Sequence, residues 1–342
     1  MRKKVSVFVA GSWGTALACV LAGNGHDVTI WSRNVEQVDE INQQHRNHKF
    51  LKDHLLHADV KATASIEVAA FHADAVLLAA PTSAMRQVAH QLQPYLTSDT
   101  LLIHAAKGFE TGSLLPMSKV IAEELPQIDA DRIVVLSGPS HAEEVIKHCP
   151  TTIVVASASI EAAQAAQDLL INNDFRVYTN VDIQGVELAG ALKNIIAIGA
   201  GMVDGLSFGD NAKAALITRG LAEITRLGVT MGANPLTFAG LAGIGDLIVT
   251  CTSQHSRNWR AGYQIAQGKA VQEVLEEMGM VVEGVKTTNA AIALSRQYHV
   301  DMPITEQLYL VLFEGKNPTL AVEDLMGRGR RQEDIITPFT PN

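Results

Sequence analysis

The chain has 342 residues, with 27 lysines and arginines against 36 aspartates and glutamates, so its formal net charge is −9. That length predicts two domains, and a content of 47% hydrophobic against 18% charged residues argues against disorder. An acidic balance disfavours nucleic-acid binding, because affinity for the phosphate backbone comes from clustered lysine and arginine. Any binding site for an anion must therefore be local.

The cysteine count and the apolar segments bear on the compartment. Three cysteines without paired spacing do not indicate a disulfide framework, which favours a reducing cytoplasm. The apolar run that follows Lys4 is too short for a signal peptide. The most apolar stretch, from Val186 to Met202, holds Lys193 and Asn194 at its middle, which would be costly inside a bilayer. We therefore expect a buried helix there and no membrane span.

Up to about residue 180, short β-branched runs alternate with Ala-rich helical segments, a pattern typical of a mostly parallel sheet covered by helices. The predicted strands are Val5–Val9, Val28–Trp31, Val60–Thr63, Ala75–Ala79, Thr100–His104, Arg132–Leu136, Thr152–Ala156 and Phe175–Tyr178. We expect residues 1–182 to form an α/β domain of the Rossmann type.

The alternation stops after Asp182, and the rest of the chain has helical periodicity. The predicted helices are Val186–Met202, Ala212–Leu227, Pro235–Ala239, Trp259–Gln267, Val271–Met278, Val285–Tyr298, Pro303–Phe313 and Leu320–Leu325. Residues 183–342 are therefore expected to form an all-helical domain.

The first strand runs into Gly11 and Gly14, and this order of strand, glycines and helix is typical of a dinucleotide-binding turn. The first glycine of the usual motif falls on Val9, and valine prefers β-region dihedrals, so we expect Val9 to keep a strand-like backbone. A purely structural turn is the alternative. Arg33, at the end of the second strand where NAD-binding proteins usually carry an acid, could pair with the 2′-phosphate of NADPH or be a solvated surface residue.

Histidines at 45, 48, 54 and 57 lack a metal-ligand pattern and are interspersed with lysines, so this segment is interpreted as a solvated loop. Two other segments follow predicted strands: Lys107, and the run from Gly138 to Ser140. Ligands of open α/β sheets bind beyond the carboxyl ends of the strands, which makes both segments candidate substrate contacts. A solvated lysine and an ordinary turn are the alternatives.

Lys193 is the strongest candidate for a catalytic residue because it lies among apolar residues of a predicted helix. Desolvation lowers the pKa of a lysine towards neutrality, which suits a general acid or base acting on a carbonyl or carbinol oxygen. The alternative is a lysine that reaches solvent or closes a structural ion pair. Asp246 follows two glycines and could orient a ligand or serve as a helix N-cap, and Arg257 between Ser256 and Asn258 could bind a phosphate.

Together these segments resemble bacterial NAD(P)-dependent glycerol-3-phosphate dehydrogenase over nearly the whole chain. The segments that carry the resemblance are 10–18, 107–108, 138–140, 187–194, 240–247, 256–258 and 281–284. It implies reversible reduction of dihydroxyacetone phosphate to sn-glycerol 3-phosphate by NADH or NADPH, in the service of phospholipid synthesis. The enzyme is expected to be a cytoplasmic homodimer with no metal.

The resemblance also implies residue roles. Lys193 is expected to donate and accept the proton, helped by Asn194 and Thr250. The other implied substrate contacts are Lys107, Gly138, Ser140, Asp246, Ser256, Arg257 and Asn258. The implied cofactor contacts are Gly11, Ser12, Trp13, Gly14, Arg33, Lys107, Ala142, Arg257, Val281 and Glu283.

The sequence departs from the family pattern at two places: Val9 replaces a glycine, and Phe50-Leu51-Lys52 stands in place of Tyr-Leu-Pro. Two rival functions remain open: a related two-domain hydroxy-acid reductase, and a non-catalytic NADPH-binding sensor. Activity on a non-phosphorylated substrate would favour the former, whereas a sensor would have no use for a buried proton donor.

Overall fold

The protein is described from a computed structural model, which covers residues 1–52, 54–279, 281–330 and 333. The end of the predicted helical domain, at 331–332 and 334–342, lies outside the described residues. The chain divides into two compact units. The first unit comprises Met1–Glu110 and Leu115–Ile183, and the second comprises Thr111–Leu114 and the chain from Gln184 onward.

The first unit is built on an eight-stranded sheet with the strand order β3-β2-β1-β4-β5-β6-β7-β8. Its strands are β1 Lys4–Phe8, β2 Asp27–Trp31, β3 Lys61–Thr63, β4 Ala75–Leu78, β5 Leu101–His104, β6 Ile133–Ser137, β7 Thr151–Ala156 and β8 Phe175–Asn180. Neighbouring strands are parallel except β6 and β7, which run antiparallel. The predicted Rossmann-type, mostly parallel sheet is confirmed.

Side chains alternate across this sheet because successive Cβ atoms of a strand point to opposite faces. Val5 and Val7 of β1 join one buried apolar cluster, whereas Phe8 joins the other. The helices of the unit are α1 Ser12–Gly23, α2 Val35–Gln44, α3 His48–Leu51, α4 Ile66–Ala70, α5 Thr82–Leu92, α6 Met117–Glu124, α7 Ala142–Val145 and α8 Ile160–Leu170. Residues of α1 and α8 lie in the first cluster, and those of α5 and α6 in the second.

The regular secondary structure of the second unit is helical in the residues that the structure describes. Its helices are α9 Ile183–Gly205, α10 Gly209–Thr230, α11 Pro235–Phe238, α12 Asp246–Thr252, α13 Arg257–Ala266, α14 Val271–Met278, α15 Glu283–Tyr298, α16 Pro303–Glu314 and α17 Pro318–Met326, with a π-helical turn at Leu241–Gly245. The π-helical turn and α12 are absent from the predicted helices, but the predicted all-helical character is confirmed.

Helix α9 lies at the centre of the second unit. It and the stretch Pro235–Thr252 are the two described segments that are long and apolar enough to cross a bilayer by composition alone. The apolar window of α9 is entirely buried inside the protein. This is what a core helix requires, because a helix that is apolar on all sides needs apolar neighbours on all sides.

The prediction for Val9 is wrong. Its φ is +80°, in the region that L-residues rarely adopt and that β-branched residues adopt least readily. The N–H of Val9 still donates to the carbonyl of Trp31, and its own carbonyl accepts the N–H of Gly11. The turn therefore takes the backbone conformation that the usual glycine favours, with a valine in it.

Candidate functional site

The turn from β1 into α1 has the features of a dinucleotide cradle. Gly11 is the N-cap of α1, and a Cβ placed on it would have no atom within 4 Å. A Cβ on Gly14 would instead lie 2.3 Å from the carbonyl oxygen of Val9, so this position must be glycine for α1 to pack on the strand. The first turn of α1 has no acidic residue, and its N-terminus favours an anion. The geometry fits a pyrophosphate beside Gly11.

Ser12 and Trp13, the next predicted cofactor contacts, are both anchored. The hydroxyl of Ser12 donates to the carbonyl of Phe50 at 3.1 Å, so the segment that departs from the family pattern meets the turn through its backbone. Trp13 packs against Phe175 with ring centroids 6.5 Å apart. Its Nε1–H is buried and has no hydrogen-bond partner among the described residues.

Arg33 follows the buried Ser32 at the end of β2 and is exposed. It forms no ion pair with any residue that the structure describes, so its guanidinium is available to a solvent-borne anion. The structure is thus compatible with both interpretations of Arg33, a contact to the 2′-phosphate or a solvated surface arginine.

The predicted contacts that follow β5 and β6 converge on one carbonyl. The ammonium of Lys107 donates to the carbonyl of Gly138 at 3.2 Å, and the hydroxyl of Ser140 donates to the same oxygen at 2.9 Å. Gly138 has a φ of +125°, and a Cβ on it would lie 3.1 Å from the Cα of Ile153. Ala142 is buried at the start of α7. The structure therefore brings Lys107, Gly138 and Ser140 together.

Lys193 lies in the middle of α9 and is only 5% exposed. Its Nζ donates to Oδ1 of Asp246 at 2.5 Å and to Oγ1 of Thr250 at 2.6 Å. Thr250 in turn donates to the backbone carbonyl of Asp246 at 2.6 Å. Asp246 is itself 2% exposed, so its carboxylate compensates a buried ammonium.

These contacts decide between the alternatives that the sequence left open for Asp246 and for Lys193. Asp246 is not the N-cap of α12, because Gly245 holds that position and α12 begins at Asp246 itself, whose carboxylate accepts a hydrogen bond from Lys193. Lys193 does close an ion pair, as the alternative reading supposed. An ammonium held in place by a carboxylate and a hydroxyl is also what a positioned proton donor requires, so the pairing does not exclude chemistry.

A second hydrogen-bonded chain begins at the neighbour of Lys193. The side-chain amide of Asn258 donates to Oδ1 of Asn194 at 2.9 Å and accepts the backbone N–H of Gly284 at 2.9 Å. A Cβ on Gly284 would lie 2.6 Å from the carbonyl oxygen of Asn194, so α15 approaches α9 closely only with glycine there. This chain joins the predicted segments 193–194, 256–258 and 281–284.

Ser256 caps α13 by accepting the N–H of Trp259 at 3.2 Å, and Arg257 is exposed on the first turn of that helix. Glu283 begins α15, and Val281 precedes it, half-buried. Contacts of Arg257, Val281 and Glu283 with a cofactor stay predictions. The second unit thus holds the seven positions within it that were predicted for proton transfer or substrate binding: Lys193, Asn194, Asp246, Thr250, Ser256, Arg257 and Asn258.

The segment that carries four histidines is not simply a solvated loop. It contains α3, and Asn47 and Leu51 within it are buried. No group of three or more histidine, cysteine or acidic side chains among the described residues is arranged to hold a metal. Asn47, which bonds to the glycine turn, is absent from the predicted site residues. The signal that could have found it is an asparagine directly before a short helix.

Comparisons with known proteins agree along the whole chain. Family models for the N-terminus and the C-terminus of NAD-dependent glycerol-3-phosphate dehydrogenase match residues 4–163 and 182–323. Glycerol-3-phosphate dehydrogenase [NAD(P)+] of Lysinibacillus sphaericus is 57% identical over 331 residues, which are 97% of this chain and 98% of that protein. The enzyme of the same name from Bacillus subtilis is 55% identical over 339 residues, 98% of each chain.

Solved structures extend the comparison. The glycerol-3-phosphate dehydrogenase of Coxiella burnetii has a TM-score of 0.90 at 37% identity, covering 96% of this chain and 99% of that one. The enzyme of Saccharomyces cerevisiae has a TM-score of 0.83 at 27% identity, covering 96% and 100%. A D-mandelate dehydrogenase has a TM-score of 0.63 at 13% identity, which shows a shared fold alone.

Proposed function

This chain belongs to the NAD-dependent glycerol-3-phosphate dehydrogenase family, and we propose on that basis that Lys193 is the proton donor and acceptor of the reaction. The chain is an NAD(P)-dependent oxidoreductase, and the reaction is the reversible reduction of dihydroxyacetone phosphate to sn-glycerol 3-phosphate. The observation that carries the proposal is the buried triad of Lys193, Asp246 and Thr250.

Lys193 acts on the oxygen of the reacting carbon. In the direction of reduction, its ammonium gives a proton to the oxygen as negative charge develops there, and in oxidation the neutral amine takes that proton back. The positive charge is in place beforehand, so little reorganisation is needed in the transition state. Asp246 and Thr250 keep Nζ in one position, because each accepts one of its hydrogen bonds.

The phosphate of the substrate is assigned to Ser256, Arg257 and Asn258 at the N-terminus of α13. This ten-residue helix presents its positive end and an exposed guanidinium, both of which favour a dianion in a chain of net charge −9. Lys107, Gly138 and Ser140 of the first unit are proposed as further substrate contacts. Binding of the phosphate supplies energy for positioning, so a substrate without phosphate should lose turnover as well as affinity.

The residues proposed to hold the cofactor are Gly11, Ser12, Trp13, Gly14, Arg33, Lys107, Ala142, Arg257, Val281 and Glu283. When bound, the nicotinamide supplies the hydride for the carbonyl carbon. The open space beside Gly11 supports this assignment, as does the absence of an acid in the first turn of α1. Arg33 is proposed to pair with the 2′-phosphate, so NADPH is usable alongside NADH.

The setting of the reaction is also a proposal. The product is the phosphorylated glycerol backbone that glycerophospholipid synthesis consumes, and the reduced cysteines fit the cytoplasm. We propose a homodimer, which sedimentation of the purified protein would test.

The test of the function is oxidation of NADPH with dihydroxyacetone phosphate, with dihydroxyacetone, and with neither. We expect turnover with the phosphorylated compound and little with the other. Lys193→Ala should lower kcat by about 100-fold or more, because a general acid contributes roughly 10²–10⁴. Binding of NADPH should barely change.

Lys213→Ala is the matched control, since Lys213 pairs with Asp204 at 2.6 Å in the same unit. Near wild-type kcat in a folded Lys193→Ala protein would remove Lys193 from the mechanism. Preference for a non-phosphorylated substrate would favour a hydroxy-acid reductase, and binding of NADPH without turnover on any substrate would favour a sensor.

A further inference from the structure

Asn47 lies between α2 and α3 and is completely buried, although it is a polar residue outside regular secondary structure. Its side-chain amide donates to the carbonyl of Ala10 at 3.0 Å and to the hydroxyl of Thr15 at 2.8 Å. Both partners belong to the glycine turn or to the first turn of α1. The amide oxygen accepts a hydrogen bond from the side chain of Gln37 at 3.0 Å. Both polar atoms of the Asn47 side chain thus have partners.

Gln37 connects the same turn to the end of β2. Its Nε2 donates to the carbonyl of Ala10 at 2.7 Å as well as to Asn47. Its Oε1 accepts the hydroxyl of Ser32 at 2.5 Å, and Ser32 directly precedes Arg33. The hydroxyl oxygen of Ser32 also accepts the backbone N–H of Asn34 at 3.2 Å, so the backbone on the far side of Arg33 is held too.

These bonds fix one peptide plane from both sides. The peptide between Ala10 and Gly11 has its carbonyl held by Asn47 and Gln37, and its N–H donates to the carbonyl of Val9 at 2.9 Å. Gly11 is the residue beside the open space proposed for the pyrophosphate. A peptide with a single orientation presents that surface without an ordering cost on binding.

We propose that Asn47 and Gln37 are positioning residues for the dinucleotide, an inference that rests on the proposed function. Asn47 donates both of its side-chain hydrogen bonds to the glycine turn and the first turn of α1, so it sets the affinity for the pyrophosphate, a group that NADPH and NADH share. Gln37 bonds to the turn and to Ser32, so it also sets the position of Arg33 and thereby the selection of the 2′-phosphate.

Because the two residues have different roles, their substitutions should change the dissociation constants of NADPH and NADH in different ways. We would measure dissociation constants of NADPH and NADH for the whole protein by cofactor fluorescence, in wild type, Asn47→Ala, Gln37→Ala and Arg33→Ala. Asn47→Ala should weaken both cofactors by about the same factor, on the order of tenfold, as expected for about 1.4 kcal/mol. Gln37→Ala should weaken NADPH several-fold more than NADH, in the direction of Arg33→Ala.

Ser157→Ala is the matched control for loss of a buried side chain. Ser157 is completely buried and donates to the carbonyls of Asp131 and Ile133, just before and at the start of β6. The strands from β1 to β6 are parallel in the sheet, so these carbonyls lie at their amino ends, whereas the glycine turn lies at the carboxyl end of β1. It should lose stability and keep both dissociation constants. Gln37 is only half-buried, so Gln37→Ala keeps the test decisive if Asn47→Ala does not fold.

The inference is overturned if the folded variants bind both cofactors as Ser157→Ala does, or if Gln37→Ala keeps the wild-type ratio of the two dissociation constants. Failure of the proposed function would look different: wild type itself would bind neither cofactor. An Arg33→Ala protein with an unchanged ratio would remove Arg33 as the reader of the 2′-phosphate while leaving the result for Asn47 to stand.

Discussion

Val9 combines a left-handed backbone with a β-branched side chain in the turn that leads to Gly11. Such a conformation costs on the order of 1–3 kcal/mol and persists only where contacts with neighbouring residues hold it in place. Two backbone hydrogen bonds hold Val9, and its side chain packs against the apolar cluster around Phe8. The strain is therefore offset locally by burial of the isopropyl group.

The backbone strain at Val9 predicts a small effect of Val9→Gly on stability. Glycine relieves the strain, but it loses a half-buried side chain and gives the unfolded chain more freedom, each at about 1 kcal/mol. We expect the free energy of unfolding to stay within about 1 kcal/mol of wild type, as measured by denaturant titration. Val7→Gly is the control, since Val7 is completely buried in β1, and it should lose several times more. A loss above about 2 kcal/mol for Val9→Gly would mean that packing of the side chain outweighs the strain.

At the scale of elements, glycines set the distance between α9 and α13. A Cβ on Gly201 of α9 would lie 2.0 Å from the carbonyl oxygen of Trp259, and one on Gly262 of α13 would lie 1.9 Å from that of Ile198. Backbone therefore meets backbone at this crossing. The consequence for the site is direct, because α13 begins at Arg257 and α9 carries Lys193.

Gly262→Ala should displace α13 and with it the segment 256–258. We expect an increase in KM for dihydroxyacetone phosphate and a loss of about 1–3 kcal/mol in stability, the usual cost of overpacking. Arg260→Ala, an exposed position on the same helix, should change neither. Steady-state kinetics together with a denaturant titration make the comparison. If Gly262→Ala keeps both the wild-type KM and the wild-type stability, the approach of the two helices is not what positions this segment.

Helix α16 is capped by a carboxylate from α10. Glu223 accepts the backbone N–H of Ile304 at 2.7 Å and that of Thr305 at 3.2 Å, and it also accepts the Thr305 hydroxyl. Its burial raises its pKa from 4.5 to about 7, against the opposing effect of these hydrogen bonds and of Arg226. A carboxyl whose pKa is higher in the folded state binds its proton more tightly there than in the unfolded chain.

The sign of the pH dependence follows. The contribution of Glu223 is fully present below pH 4.5 and is lost as pH rises through about 7, a change on the order of 3 kcal/mol. We expect the free energy of unfolding of Glu223→Gln to vary less over this interval than that of wild type. Glu306→Gln, an exposed acid in α16, should keep the wild-type slope. Equal slopes in wild type and Glu223→Gln would show that Glu223 titrates alike in both states.

At the scale of the whole molecule, the proposed cofactor residues Gly11 to Gly14 and Arg33 belong to the first unit, whereas Lys193, the proposed proton donor, belongs to the second. A ligand that binds only the folded state stabilises whatever unfolds together with its site. The effect of NADPH on the unfolding of each unit therefore shows which unit makes most of the contacts with the cofactor.

We expect NADPH at 100 times its dissociation constant to raise the free energy of unfolding by about 2.7 kcal/mol. If the units unfold in separate transitions, the transition of the first unit should shift. In a Trp259→Phe variant, the remaining tryptophans, Trp13 and Trp31, both report on that unit. Thermal melts followed by tryptophan fluorescence, with and without NADPH, give the result. An unchanged fluorescence transition would place the decisive contacts outside the first unit.

The sequence by itself determined the positions of the eight strands along the chain, the glycine turn after β1 and the change from strands to helices that follows β8. Each is a local signal: alternation or 3.6-residue periodicity over a short window, or glycines at fixed spacing. Strands β1 to β8 accordingly lie within a few residues of their predicted positions. The family resemblance rested on seven such segments in register, which explains why the function could be predicted from the sequence as well.

Only the tertiary structure decided what depends on residues far apart in the chain. Lys193 and Asp246 are 53 positions apart, and no periodicity predicts that their side chains meet. The antiparallel pairing of β7 and the burial of Asn47 against Ala10 are likewise set by packing. At Val9, local preference and tertiary contacts conflict, and the contacts prevail because hydrogen bonds to Trp31 and Gly11 hold a conformation that valine alone would avoid.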